Sequence, residues 1–381
     1  MRNSLLTTRR LALAGTMLLS LGIAAPALAE GPETVSGPGA DPACFKPWAS
    51  DTVYLQWPKK EGPYKIALAN GFVGNTWRIQ MIQTAKAFVE QPEIAKDVGE
   101  LKVVSTGTDV AAQIAAIENF ITSGYDAVVT IATNPAAFAP IIRRANEAGT
   151  VLVPFDGLVD SKEVLMVNED QTQMGQMMAK WLLDNIKEDG GKILEVRGVP
   201  GNTVDRDRHD GFRAAMEADG RGFEIVEVVG MWDDGTAQKV TADAIAVHEK
   251  FAGIYTQGGS TGVVRAMMDA EHPFIPVSGE GENGFRKLCA EHAADGLLCA
   301  SAGQTPALVA VAIKTAISAL QGNVMPQYIS VPIPYVEHPN FKDGENFYAD
   351  LSDNFFVANS FPECGVNFSA TDIMAKNEAD N

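Results

Sequence analysis

Three stretches of the chain have residue types and spacing that could do chemistry. Gly258–Gly–Ser–Thr–Gly262 matches G-x-S-x-G, the spacing that sets a serine hydroxyl on a sharp strand-to-helix turn. Asp269 follows, and His272, His292 or His338 could complete the order Ser, Asp, His. That arrangement would make Ser260 the nucleophile of a secreted α/β serine hydrolase, although no His-Gly-Gly-Gly type oxyanion segment occurs. Gly279–Glu–Gly–Glu–Asn–Gly284 matches G-x-G-x-x-G after an apolar run. A dinucleotide phosphate needs bare N–H groups there, and Glu280 and Glu282 would oppose it. The better reading ends a strand at Glu280, whose carboxylate accepts ligand hydroxyls. Asp205–Arg–Asp–Arg–His–Asp–Gly211 falls short of a calcium loop. His209 takes the fifth position, the Gly is one place late, and Met216 stands where a bidentate Glu is needed. The segment reads instead as a helix start, with Arg206 directed into a cleft and its other charges solvated. No metal and no cofactor is expected.

A second set of residues suits binding better than catalysis. Asn75, Trp77 and Arg78 follow a short apolar run and offer an amide, a flat aromatic face and a fixed cation. Asn134 lies in a small polar loop, Asp156 ends an apolar strand, and Trp232 lies just beyond another. Sugar and polyol faces present C–H bonds that bury on aromatic rings, and their hydroxyl edges need donors and acceptors around them.

The elements that must position these groups alternate. Ile66–Ala69 reads as a buried strand, and Ile79, Ile82, Ala85 and Phe88 recur at helical spacing after it. Strands are predicted at Leu101–Ser105, Ala127–Ile131, Val151–Phe155, Lys192–Val196, Glu224–Val229, Gly253–Thr256, Ile275–Ser278 and Leu297–Ala302. Helices are predicted at Val110–Ser123, Ala136–Ala148, Met174–Ile186, Arg206–Glu217, Ala237–Val247, Thr261–Asp269 and Pro306–Leu320. Such alternation implies parallel sheets with right-handed crossovers. Ala127–Gly157 and Gly253–Glu280 run through the same order, so two similar halves are expected, with a ligand cleft between them. One large hydrolase sheet fits that pattern poorly.

The chain has 381 residues, 46% of them hydrophobic, and a formal charge of −18. That balance repels nucleic acid and suits a small neutral ligand. Arg9 and Arg10 precede an apolar run from Leu11 to Ala25, and Ala27–Leu–Ala29 matches the small-residue cleavage rule. Export to the periplasm is expected, with a signal peptide over 1–29 removed after Ala29. Four cysteines in an exported chain favour disulfides, and four allow three pairings. Cys289–Cys299, ten residues apart, and Cys44–Cys364, in the two terminal extensions, are the preferred pairs.

With these positions assembled, the chain resembles the ribose-type periplasmic sugar-binding proteins of bacterial ABC importers, from about Lys65 to Val336. Ile66–Ala–Leu with Asn75-x-Trp77 is similar to the family's first strand and ligand loop. Val153–Pro–Phe–Asp156 is similar to its strand-end Asp. Gly198-x-x-Gly201-x-x-x-x-Arg206-x-Arg208-x-x-Gly211–Phe212 is the closest match, and it sets Arg206 on the ligand arginine. Trp232 falls near a second-domain aromatic, Glu280 replaces an Asp, and Gln304 matches a hinge-proximal Gln. Gly157, Gly258 and Arg78 depart from the family's Arg, Asn and aromatic, so a ligand other than ribose is implied. Repressors of this fold carry a helix-turn-helix ahead of the first lobe, where this chain has its signal peptide and a Gly/Pro-rich segment.

The resemblance implies a type I periplasmic binding protein fold: two doubly wound parallel-sheet domains joined by a three-segment hinge. The first domain would take 62–168 plus 305–328 and the second 169–304 plus 329–345, with extensions at 30–61 and 346–381. The implied function is capture of a small neutral carbohydrate or polyol and delivery to an ABC transporter membrane permease, by a monomer that is not an enzyme. The two extensions are expected to form a disulfide-tied strap across one domain.

Overall fold

The computed structural model describes residues 31–380; the predicted signal peptide and its cleavage site lie outside them. Two parallel sheets form the centres of two α/β domains. The first runs in the order Val98–Ser105, Tyr64–Asn70, Ala127–Thr130, Val151–Pro154. The second runs Glu224–Val229, Lys192–Arg197, Gly253–Thr256, Val277–Gly279, Cys299–Ala302, and ends on the antiparallel strand Tyr335–Glu337. In each sheet the chain starts on an inner strand, winds one way, then reverses. That order leaves a crevice at the carboxyl ends where the reversal occurs.

The central strands are fully buried, as continuous apolar runs in a two-sided sheet must be. Helices cover both faces. Leu308–Leu320 is buried on almost every side and belongs to the first-domain core, together with Thr76–Val89. In the second domain, Gln171–Asn185 packs against Thr203–Asp219 through two glycines. A Cβ on Gly175 would stand 2.1 Å from the Arg208 carbonyl oxygen, and one on Gly211 would stand 2.1 Å from that of Thr172. Only bare backbone permits this approach, and it fixes where Arg208 can point.

The chain runs from Met166–Asn168 into Gln171–Asn185, from Cys299–Ala302 of the second sheet back to Leu308–Leu320 of the first-domain core, and from Tyr328–Ser330 to Tyr335–Glu337 of the second sheet. Met166–Asn168 and Tyr328–Ser330 pair in parallel, and Lys46–Pro47 of the N-terminal extension adds to them antiparallel. Glu33–Val35 and Tyr54–Gln56 form a second small sheet with Met325–Pro326. Cys44–Cys364 and Cys289–Cys299 are both bridged, with Cα separations of 4.6 and 5.9 Å.

One expectation is corrected here. The C-terminal extension does not strap a single domain. Its 348–357 stretch bonds to Asn283, Gly284 and Gly281 of the second domain. Phe356, Phe361, Val366, Phe368 and Ile373 are buried in the first-domain core.

Candidate functional site

The site residues stand beyond strand carboxyl ends, on both sides of the crevice. In the first domain, Asn75 caps the helix Thr76–Val89, accepting the Arg78 N–H at 3.0 Å. This turn holds Trp77 and Arg78 against the end of the strand Tyr64–Asn70. Arg78 donates to Asn70 Oδ1 at 2.8 Å and lies 3.7 Å from Asp156 Oδ2. Asp156 has φ 59, a left-handed backbone that turns its carboxylate back over the sheet end. Trp77 is buried in the first-domain core and donates Nε1–H to the Gln304 carbonyl at 2.8 Å.

In the second domain, Glu280 follows the strand Val277–Gly279, and its carboxylate meets Arg208 at 2.8 Å. Arg208 is 2% exposed, and each of its three guanidinium nitrogens donates. Nε donates to Gln171 Oε1 at 2.7 Å, Nη1 to the Gln257 carbonyl at 2.8 Å, and Nη2 to Gln304 Oε1 at 2.9 Å. Gln304 then joins the domains. Its Nε2 donates to Asp156, and its Oε1 accepts from Arg208. A carboxylate needs a donor and a guanidinium an acceptor, so the two partners fix the amide's orientation.

Burial raises the pKa of Asp156 and Glu280, with Arg78 and Arg208 pulling back. Burial lowers that of Arg78, and Asp156 resists it. Burial likewise opposes the charge on Arg208, but Glu280 and the acids around it raise its pKa overall. Each cation thus has its own carboxylate, and burial holds the pKa of a further acid, Glu169, well above the usual carboxylate range.

Around this network the buried polar atoms Glu169 Oε2, Gln257 Oε1 and Trp232 Nε1 lack a hydrogen-bond partner among the described residues. Trp232 has φ 54, and its ring lies on bare glycine. A Cβ on Gly198 would be 2.1 Å from its Cε2, and one on Gly258 would be 2.9 Å from its Cδ1 and 3.3 Å from Glu280 Oε2. Both glycines make room for the indole beside Glu280. A cavity of about 370 Å³ adjoins the network through Asp156, Asn168, Glu169 and Gln171, with Trp48 stacked on Tyr328 at its far side.

Not every expected residue reaches this network. Asn134 is exposed and caps a short 3-10 turn through Ala136 N–H. Arg206, read as the cleft arginine, has a side chain 61% exposed and pairs with Asp207. It also lines the adjoining cavity. The reading that the neighbouring charges are solvated is also corrected, because Asp205 and Arg208 are buried. The helical period explains the inversion. Val204, Arg208, Gly211 and Phe212 share the buried face, and Arg206 lies about 200° around the helix from Arg208. Gln171, Gln257, Glu169, Asn168 and Asn70 carried no motif. For Arg208 the signal was present in the spacing of Val204 and Phe212.

The serine reading fails on geometry. Ser260 is buried, and its Oγ accepts the Glu280 N–H at 2.9 Å. The N–H groups of Gly259, Ser260 and Thr261, where an oxyanion would sit, bind the Glu282 carboxylate at 2.7, 2.7 and 3.2 Å. His272 Nδ1 faces the Pro273 carbonyl, and His292 Nδ1 faces Asp295. Glu282 thus fills the N-terminus of the helix Ser260–Asp269. At the helix Asn283–Glu291, which the G-x-G-x-x-G spacing opens, it stands at the N-cap without a side-chain cap bond.

Comparison with known proteins gives a consistent result. Residues 66–323 match the model of a family described as periplasmic binding protein domain. The D-ribose/D-allose-binding protein of Pseudomonas aeruginosa is 28% identical over 218 residues, which cover 54% of this chain and 65% of that protein's own length. The crystal structure of an ABC transporter solute binding protein from Thermobispora bispora is similar with a TM-score of 0.66 and 26% identity. That match covers 72% of this chain and 85% of the other. One from Mycobacterium smegmatis with bound glycerol has a TM-score of 0.65 and 25% identity, covering 76% and 100%.

Proposed function

Since the chain belongs to the periplasmic binding protein domain family, we propose that it captures a small neutral sugar or polyol between its two domains and delivers it to the membrane permease of an ABC transporter. The observation that carries this reading is the chain Asp156–Gln304–Arg208–Glu280, which runs from one domain to the other through a single amide. A ligand seated on it touches both domains only when they are closed, so binding draws the population toward the closed form. Only that form would present both faces to a permease.

Paired charges argue for a neutral ligand, and the donor and acceptor pattern argues for hydroxyls. Arg78 and Arg208 can donate, and Asp156 and Glu280 accept. The unpartnered Trp232 Nε1, Gln257 Oε1 and Glu169 Oε2 supply further hooks of both kinds. The relatives named above bind ribose, allose or glycerol by their descriptions, which suits this lining. The protein acts as a monomer, exported with cleavage after Ala29, and performs no reaction on its ligand. Its domains are 62–168 with 305–330 and 169–304 with 331–345, the last boundary following the pairing of Tyr328–Ser330 with Met166–Asn168. Among the described residues no helix is long and apolar enough to cross a membrane.

A thermal-shift screen tests the reading. D-ribose, D-allose, L-arabinose, glycerol, longer polyols and amino acids are compared at equal concentration. The cognate class should stabilise the fold by about 2.7 kcal/mol at a hundredfold excess over Kd. Stabilisation by amino acids alone would refute it.

A further inference from the structure

We propose that the C-terminal segment around Asp353–Asn359 is a fourth connection between the domains and positions both walls of the ligand cleft. In an extended segment the backbone groups of successive residues point to opposite sides. Here the two sides are two domains. The Phe356 N–H donates to Gln80 Oε1 and its carbonyl accepts from Gln80 Nε2, both at 2.8 Å. Gln80 lies in the first-domain helix, one turn after Trp77. On the other side, the Phe355 carbonyl accepts the Asn283 N–H at 2.8 Å, and the Val357 N–H donates to the Gly281 carbonyl at 3.1 Å. That loop begins at Glu280.

Each end is anchored in its own domain. Asp353 pairs with Arg265 at 2.6 Å and Lys287 at 3.1 Å, and its carbonyl accepts the Gly284 N–H. Beyond the crossing, Asn359 bonds Gln80 and Cys364 is bridged to Cys44. The Ala358 carbonyl accepts from Thr305, next to Gln304. The segment therefore runs alongside one of the hinge crossings. Domains cannot separate here without breaking the Gln80 pair or the Gly281–Asn283 pair. Gln80 acts as a positioning residue: through Phe356 it fixes the distance between Trp77–Arg78 and Glu280.

Inter-domain distances in the ligand-free protein test this. Spin labels at Asn119→Cys and Val247→Cys, exposed on helices of the first and second domain, report the separation by pulsed electron resonance. Gln80→Ala should shift the distribution to longer distances and broaden it. Gln83→Ala serves as the control, because among the described residues the Gln83 side chain bonds the Lys376 carbonyl, at the tail of the same segment. It should lower stability without moving the distances. Val357→Pro removes the bond to Gly281 from the other side and should reproduce the Gln80→Ala shift. An unchanged distribution in a folded Gln80→Ala or Val357→Pro protein would overturn the proposal, as would an equal shift in Gln83→Ala. Because no ligand is added, such a failure is separate from any failure of the sugar-binding reading.

Discussion

Two arginines two residues apart show what single side chains contribute. Arg206 and Arg208 share a segment and a charge, yet the first is solvated beside Asp207 and the second is enclosed by Gln171, Gln257, Gln304 and Glu280. Charge-assisted hydrogen bonds contribute about 1.5–3 kcal/mol each. Removing one partner of a buried ion pair costs about 3–5 kcal/mol, because the other charge is left unpaired. Arg208→Ala should therefore lower folding stability on that scale and abolish binding in calorimetric titration with the strongest ligand from the screen. Arg208→Lys should also bind poorly, since an ammonium cannot reach four acceptors in a planar fork. Arg206→Ala should stay within about 0.5 kcal/mol of wild type in urea unfolding. Near-native affinity in a folded Arg208→Ala protein would mean that the ligand sits elsewhere.

At the scale of elements, the close contact between Gln171–Asn185 and Thr203–Asp219 holds the ligand-facing side chains in register. Gly175 and Gly211 let each helix reach the other's backbone at Arg208 and Thr172. Gly175→Ala would drive a methyl group onto a carbonyl that cannot move alone. Overpacking of this kind costs about 1–3 kcal/mol. The expected result is a lower urea midpoint with weaker ligand binding, since Arg208 and Gln171 would shift relative to Gln304. Unchanged affinity at reduced stability would show that the helix pair supports the fold without tuning the site. The helix Asn283–Glu291, which the spacing of Cys289 and Cys299 implies without giving its start, makes a related point. Its first turn contains Gly284, a poor helix former. A Cβ there would lie 2.6 Å from that of Asp353, so the helix start is shaped to receive the C-terminal segment.

For the whole molecule, the dominant electrostatic feature is acid held away from water. Burial raises the pKa of Asp156, Glu169, Glu195, Asp234 and Glu280. Burial, with Asp234 and Glu280 nearby, pushes Glu282 up to about 8 against the pull of its backbone donors. The folded state then binds more protons than the unfolded chain between the ordinary carboxylate range and about pH 8. The sign follows from linkage: stability is greatest at the acidic end of this window and falls as pH rises through it. Melting temperature measured from pH 5 to 8.5 should decline with pH, and Glu282→Gln should flatten the upper part of the decline. A melting temperature that rises with pH across this range would contradict the assignment.

Local patterns in the sequence determined the alternation of strands and helices, the two halves, both disulfide pairs and most strand-end residues. Ile66–Ala69 and Gly253–Thr256 are short runs bounded by turn residues, too short for a buried helix such as Leu308–Leu320. Glu280 and Asp156 could be read because each directly follows such a run. The tertiary structure decided which polar groups face inward. Gln171 and Gln257 are ordinary surface types in sequence, yet both are buried: Gln171 Oε1 accepts from Arg208, and Gln257 Nε2 donates to the Asp205 carbonyl. Gln304 joins the domains only because Asp156 and Arg208, 52 residues apart, converge on its amide. The path of the C-terminal segment was equally hidden. Its hydrogen bonds are backbone groups and long-range glutamine and asparagine contacts, and backbone groups are the same in every sequence. Periodicity reports the burial of side chains along one element, whereas the pairing of polar groups between distant elements depends on where the folded chain brings them.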